Sequence, residues 1–323
     1  MTMLHIKQAG PMLTVQDLGR TGLMHLGVSG AGAMDPTSML IANRLVGNAD
    51  SDAALEFAHV GGAFVAEKPV RFAVTGGAID ITVDGQLRHG WESHWLMPGE
   101  VLKIGALRRA VWGYLAISGG IDTPKVLEAR STHLRSGLGG IDGRRLAIGD
   151  ALPLGETKKS SLLALRKPFS RSNGPVRVVP GPQADHFDAA AWKNFLREPF
   201  SVTPSRDRMA QVLDGPAIRA FAGHDIVSDG TVAGSIQVPS SGRPIVLMAE
   251  RQTTGGYPKI ATVASVDMPR LAQTATGSTI RFKSISQEEA EDLLIARNNA
   301  LADILASLEE KPGDAAKVED RQT

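Results

Sequence analysis

Apolar residues along this chain fall in short runs broken by glycine, proline and Asp-Gly pairs, and sustained helical periodicity is strongest in one segment near the C-terminus. In the first half, Leu4, Ile6 and Val15 sit in short runs beside the Gly10-Pro11 turn signal. The spacing predicts a helix that starts at Pro36 and stops at Gly47-Asn48. Asp35 can cap it, Pro36 fits the first helical position, and Met39, Leu40, Leu45 and Val46 follow. Strands are predicted at 70–74, 79–83, 101–104 and 111–117, with Asp84-Gly85 as a hairpin turn after the second.

Beyond residue 155 the pattern changes to a Lys-, Ser- and Arg-rich stretch without strict periodicity, which places a domain connection there. Strand-like runs restart at 176–179 and return at 234–238, 245–248, 260–266 and 279–282, with a helix over 188–196. Isolated strands on this spacing argue for an antiparallel sandwich or barrel. Ser286 and Glu289 form a capping box. Ala290, Leu293, Leu294, Leu301, Ile304, Leu305 and Leu308 then recur at helical spacing before Pro312-Gly313. Such a stripe is expected to dock on the protein's own core, although it also offers a partner interface. The expected organisation is a first β domain with one helix over 1–155, a connection over 156–175, a second β domain over 176–285, a helix over 286–311 and a frayed tail over 312–323.

Length and composition add constraints. The 323 residues fit two domains at about 150 residues each. With 35 Gly, 18 Pro and few aromatics, the chain must turn often and build its core from aliphatic residues. The absence of cysteine rules out disulfides, thiolate nucleophiles and Cys-ligated metals. A formal charge of +1 gives no global field to attract nucleic acid or an anionic membrane. No apolar stretch approaches the roughly 20 residues that span a bilayer. The first ten residues lack a basic-then-apolar leader. A cytoplasmic protein is expected, with neither nucleic acid nor membrane as partner.

Several chemistries are missing from the sequence. There is no Gly-x-x-x-x-Gly-Lys-Ser/Thr loop, no Gly-x-Gly-x-x-Gly opening a helix, no Gly-x-Ser-x-Gly elbow and no His-Glu-x-x-His. The eight histidines are scattered singly, so no dedicated metal site is expected.

Four polar clusters stand out instead. The first runs from Gln16, Asp17 and Arg20 through Ser29 to Asp35; its glycines allow a ligand close to the backbone, and Arg20 offers five donors to a carboxylate or phosphate. Its bland alternative is an Asp–Arg pair locking a turn. The second comprises Arg130, Ser131, Thr132, Arg135, the glycines at 137–140 and Arg144, either an anion grip or a solvated loop with surface ion pairs. The third, 205–209, packs charge into a Pro-bounded loop and reads better as structure. The fourth, 250–259, is the richest. It follows one strand and precedes another, and it supplies Glu250, Arg251, Gln252, Thr253, Tyr257 and Lys259 around Gly255 and Gly256.

Together these strings resemble the biotin-dependent carboxyltransferase family typified by allophanate hydrolase subunit 2 and the C subunit of 5-oxoprolinase. VQDLGR (15–20), GAMD (32–35) and ANRLVGN (42–48) resemble its N-terminal signature; YLAISGGID (114–122), RST (130–132) and GLGG (137–140) its middle; SDG (228–230), IQVP (236–239) and RQTTGGYPKIA (251–261) its C-terminal signature. Two departures stand out: Ala210-Gln211-Val212 replaces a usual Gly-x-Arg, and Glu128-Ala129 stands where Gly-Ser is common.

The resemblance implies a mainly β fold with added helices, as two cyclophilin-like β-barrel domains. It also implies a complex with the B and A subunits of the same enzyme, which uses ATP with Mg2+ to open 5-oxo-L-proline to L-glutamate. The alternative it offers is the carboxyltransferase component of a urea carboxylase or allophanate hydrolase-type system. No Met-Lys-Met carrier segment is present, so biotin would then arrive on a separate carrier. A third reading is a regulatory partner that binds a kinase-inhibitor-like subunit. By residue type, Arg20, Arg130, Arg135 and Arg144 would hold phosphate or carboxylate groups. Asp17, Asp35 or Glu250 would accept a proton or bind Mg-nucleotide, and Gln252, Tyr257 and Lys259 would orient a small amide or lactam substrate. Asp17, Asp35, Glu250, Tyr257 and Lys259 are thus the expected catalytic set. Gln16, Arg20, Ser29, Arg130, Ser131, Thr132, Arg135, Arg144, Arg251, Gln252, Thr253, Gly255 and Gly256 are the expected binding set, centred where 251–259 would meet 16–20.

Overall fold

A computed structural model describes residues 2–167, 171 and 173–311; part of the expected connection and the expected tail with its Pro312-Gly313 stop lie outside them. The chain forms two compact units. One takes Met1–Gly19, Asp35–Ser170 and Ala300–Thr323, and the other takes Arg20–Met34 and Arg171–Asn299. The segment 20–34 therefore packs with the second unit although it lies within the first 155 residues.

The first unit contains β1 (Thr2–Ala9), β2 (Thr14–Gln16), α1 (Pro36–Leu45), β3 (Ala54–Ala58), β4 (Val60–Ala66), β5 (Val70–Thr75) and β6 (Ala78–Val83). It continues with β7 (Gln86–Arg88), β8 (Ser93–Leu96), β9 (Leu102–Arg108), β10 (Trp112–Ile117), β11 (Ala151–Leu154) and the short β12 (Leu163–Ala164). Its sheets are antiparallel, a six-stranded one in the order β11-β1-β4-β9-β6-β7 and a five-stranded one in the order β2-β3-β10-β5-β8. Leu4, Phe64 and Ile104 from one sheet and Leu55, Phe72 and Leu115 from the other share a core that excludes water almost completely.

Local chemistry explains the elements. Asp35 caps α1 by accepting the Ser38 N–H at 3.2 Å, Pro36 opens the helix, and Gly47 stops it with φ at 78°, a left-handed conformation that costs glycine little. Asp84 and Gly85 take φ of 47° and 80°, as a tight primed hairpin turn between β6 and β7 requires.

The second unit contains β13 (Val176–Pro180), α2 (Ala189–Arg197), β14 (Phe200–Arg206), β15 (Ala210–Asp214), β16 (Asp229–Gly230), β17 (Ser235–Gln237) and β18 (Ile245–Leu247). It continues with β19 (Thr254–Gly255), β20 (Lys259–Val263), α3 (Met268–Ala272), β21 (Thr279–Ile280) and β22 (Phe282–Ser284). Eight strands form one sheet, β21-β14-β15-β18-β17-β20-β13-β22, in which only the β13–β22 pair is parallel. Phe195 of α2 stacks on Phe282 of β22 at 4.5 Å. The strands β16 and β19 form a separate two-stranded ladder. The fold is mainly β with added helices, as expected.

The charged stretch 205–209 has the structural role expected of it: β14 ends at Arg206 and 207–209 turn the chain into β15, with Asp207 Oδ1 accepting the N–H groups of Met209 and Ala210. The last helix, α4 (Gln287–Ala306), is capped as expected by Ser286 Oγ, which accepts the Glu289 N–H at 3.1 Å, yet it buries no residue fully. Its apolar stripe is only half-covered, and the chain then runs on to β23 (Glu309–Glu310), which pairs with β12.

Candidate functional site

The expected site residues separate into three environments. In the first unit, Gln16 and Asp17 clasp the loop at 130–132. Asp17 Oδ1 accepts from Ser131 Oγ and from Gly19 N–H, and its Oδ2 accepts the Arg130 N–H at 2.6 Å. Gln16 Nε2 donates to Thr14 Oγ1 and to the Thr132 carbonyl. Arg130 sends its guanidinium to Asp122 and to the Ile121 carbonyl, Arg144 makes a two-pronged pair with Asp150 at 2.8 and 2.9 Å, and Arg135 is exposed. The arginines therefore tie down loops and do not converge as an anion grip.

Asp35 lies in a second, fully buried network. Its carboxylate accepts from the Ser38 backbone and hydroxyl, and its N–H donates to Tyr114 Oη, which in turn donates to Glu56 Oε2 at 2.7 Å. Burial, followed by the nearby Glu56 and Asp35 carboxylates, pushes the Tyr114 phenol well above its ordinary range. Asp35 fits a cap and core role better than a proton acceptor.

The third environment lies in the second unit. Glu250 is buried against Arg208, with Nε at 2.5 Å from Oε1, and Arg208 also donates to the Gly32 carbonyl at 2.6 Å. Both carboxylate oxygens of Asp17 and of Asp35, and Oε1 of Glu250, thus accept from internal donors. Among the described residues no group of three or more His, Asp or Glu could hold a metal. Ser29 Oγ donates to the Ala249 carbonyl at 3.4 Å, and Arg20 is buried with its N–H on the Gly30 carbonyl. Burial pulls the Arg251 guanidinium below its ordinary range, and one of its amines lies 3.2 Å from Met24 Sδ.

Around Lys259 the arrangement is different. Lys259 opens β20 and stands directly opposite Gln237 of β17, so the two side chains share one face of the sheet. Both are buried, at 1% and 2% exposure. The Lys259 ammonium lies 3.0 Å from Asp229 Oδ2 at an angle outside hydrogen-bond geometry, and Gln237 Nε2 has no acceptor among the described residues. Lys259, followed by Gln183, holds the Asp229 carboxyl below its ordinary range. Gln252 Nε2 donates to Gln237 Oε1 at 3.1 Å, and Gln183 bridges by donating to Asp229 and accepting the Lys259 N–H. A Cβ at Gly255 would fall 2.3 Å from Gln237 Nε2, so a side chain there would displace the Gln237 carboxamide. The β16–β19 ladder carries Asp229 to this face. Thr231 N–H on the Thr253 carbonyl and Ile226 N–H on the Gly256 carbonyl extend it on either side. Tyr257 is 42% exposed beside these residues in sequence.

A buried amide donor without an acceptor is rare in folded proteins, and Gln237 Nε2 is one, facing a buried Lys259 ammonium that is ion-paired with Asp229; this makes the face a candidate place for an oxygen-rich group. Gln183 was not singled out by sequence, and Asp229 and Gln237 entered only within the SDG and IQVP strings, without a site role. The signal available was a polar residue inside an apolar strand, Gln237 between Ile236 and Val238.

Residues 26–284 match the family described as carboxyltransferase domain, subdomain A and B. The chain belongs to that family. The carboxyltransferase-domain assignment is supported by several relatives. The chain is 38% identical to the 5-oxoprolinase C subunit of Escherichia coli strain K12, over 89% of this chain and 93% of that protein. It is 29% identical to urea amidolyase of Saccharomyces cerevisiae, over 93% of this chain but 18% of that protein. Among solved structures, urea amidolyase of K. lactis superposes with a TM-score of 0.85 at 27% identity, covering 96% of this chain and 20% of that one. TTHA0988 superposes with a TM-score of 0.80 at 32% identity, covering 88% of this chain; this carboxyltransferase-domain chain spans 56% of that protein's length.

Proposed function

We propose that this chain is the C subunit of an ATP-dependent 5-oxoprolinase, working with the A and B subunits to open 5-oxo-L-proline to L-glutamate, and that the Lys259–Gln237 face binds the lactam. The observation that carries this reading is the pair of buried donors on facing strand positions, Lys259 Nζ and Gln237 Nε2. The substrate class they suit carries a carboxylate and an amide carbonyl. The ammonium takes the carboxylate as a charge-assisted partner and the carboxamide takes the carbonyl. Gln252 orients Gln237 through their hydrogen bond, and Asp229 with Gln183 sets the position of Lys259. A carbonyl held by a preplaced donor gains electrophilic character, which is what a resonance-stabilised amide lacks. ATP, when bound by the assembled enzyme, supplies the phosphoryl group that changes the leaving-group problem. The near full-length relation to proteins named as the C subunit of 5-oxoprolinase supports the same reading.

The test is 5-oxoproline-dependent ATP hydrolysis by the chain reconstituted with its A and B partners. Lys259→Met and Gln237→Leu are each expected to lower kcat/KM by about a hundredfold. Wild-type turnover in both variants would sink the site assignment.

A second reading is a carboxyltransferase component that takes a carboxyl group from biotin on a separate carrier and passes it to urea. The K. lactis urea amidolyase superposition over 96% of the chain favours it. Carboxyl transfer from a biotinylated carrier to urea, without 5-oxoproline turnover, would replace the first reading with this one.

A further inference from the structure

The first unit holds a cleft of about 650 Å³ that none of the candidate residues explains. Its floor is built by Trp95 on the edge strand β8 and by Arg71, which stands directly opposite on β5 with its guanidinium 5.6 Å from the indole centroid. Lys68, Lys158 and Lys159 line its rim. The carboxylates in the lining are Asp122, which is bound to Arg130, and the exposed Glu156.

Arg71 has a structural duty. Its Nε and Nη2 donate to the Val46 carbonyl at the end of α1, and Nη2 also reaches the Lys158 carbonyl at 2.5 Å. All these acceptors are neutral, and burial alone pulls the guanidinium below its ordinary range. Pinning α1 explains Arg71, but it does not explain why three lysines, without an ion pair among the described residues, surround the same cleft. The lining carries four cations against two carboxylates, one of them already bound to Arg130, and an excess of like charge costs free energy unless an anion neutralises it. The volume falls within the range of small-molecule sites, about 300–1,000 Å³. Lysines suit phosphate as point charges, and an indole offers a stacking face to a planar ring.

We propose that this cleft binds a phosphate ester carrying a planar aromatic ring, a ligand of the nucleotide class, with the lysines on the phosphates and Trp95 against the ring. The proposal does not depend on the amide-processing reading, since binding is measured on the full chain alone, without 5-oxoproline or partners.

Isothermal titration and tryptophan fluorescence with ATP, inorganic triphosphate and adenosine test it, all without magnesium. ATP is expected to bind and quench fluorescence, and the triple substitution Lys68→Ala/Lys158→Ala/Lys159→Ala to weaken it by roughly tenfold or more. Those lysines are on the surface, so the variant should keep the wild-type fold, checked by its unchanged thermal midpoint. Trp95→Leu should weaken ATP while leaving triphosphate unchanged, and raised salt should weaken both. The proposal is overturned if ATP gives no heat at millimolar concentration or if the triple variant binds like wild type. It is overturned equally if triphosphate matches ATP and Trp95→Leu has no effect.

Discussion

At the scale of single residues, the Arg208–Glu250 pair is the most consequential charge placement in the second unit. Removing one partner leaves the other charged and buried, so Arg208→Met alone should destabilise by about 3–5 kcal/mol. Replacing both, as Arg208→Met with Glu250→Leu, should recover most of that loss in urea unfolding. A double variant as unstable as the singles would mean that the Gly32 contact carries the stability. Glu128 offers the opposite case. Its φ of 65° lies in the left-handed region, where side chains strain. Glu128→Gly should therefore raise stability by up to about 1 kcal/mol, read from the denaturation midpoint. Sequence pointed to Lys259 and Gln252 because a polar loop between strands advertises itself. It assigned no site role to Gln183, Asp229 or Gln237, because their convergence depends on the pairing of β17 with β20 and of β16 with β19.

At the scale of elements, caps and turns were the legible part. Asp35, Pro36 and Gly47 bound α1, Ser286 caps α4, and Asp84-Gly85 turns β6 into β7, each through local chemistry that needs no tertiary context. The strands β3 and β4 were not legible. Every residue of β3 is buried, so it shows no alternation, and the paired glycines of β4 interrupt its apolar run. The helix α4 starts at its expected cap but ends at Ala306, short of the expected 311, and it docks less fully than expected, since periodicity reports a stripe and not what covers it. Leu301 on that half-covered stripe should cost less than about 1.5 kcal/mol when changed to alanine. Leu115, at the centre of β10, should cost about 2–5 kcal/mol for the same change. Equal losses would show that α4 is packed as tightly as the core.

At the scale of the whole molecule, one titration should be visible in stability. Burial holds the His94 imidazole down at about 4, with Lys311 and Arg88 adding to that and Glu92 opposing it. The folded chain therefore refuses a proton that the unfolded chain accepts below about pH 6.5. Stability should fall as pH drops from about 6.5 toward 4, on top of the carboxylate contribution. His94→Gln should flatten that window in a pH series of thermal midpoints; an unchanged slope would remove His94 as its cause. Lys311 reaches this spot from the far end of the chain, 3.3 Å from Glu92 and 3.1 Å from the Ser93 carbonyl, while β23 pairs with β12 just beside it. During synthesis, β8 emerges more than two hundred residues before its last neighbours exist. For all that time the first unit must persist without the Lys311 contacts and the β12–β23 ladder beside β8.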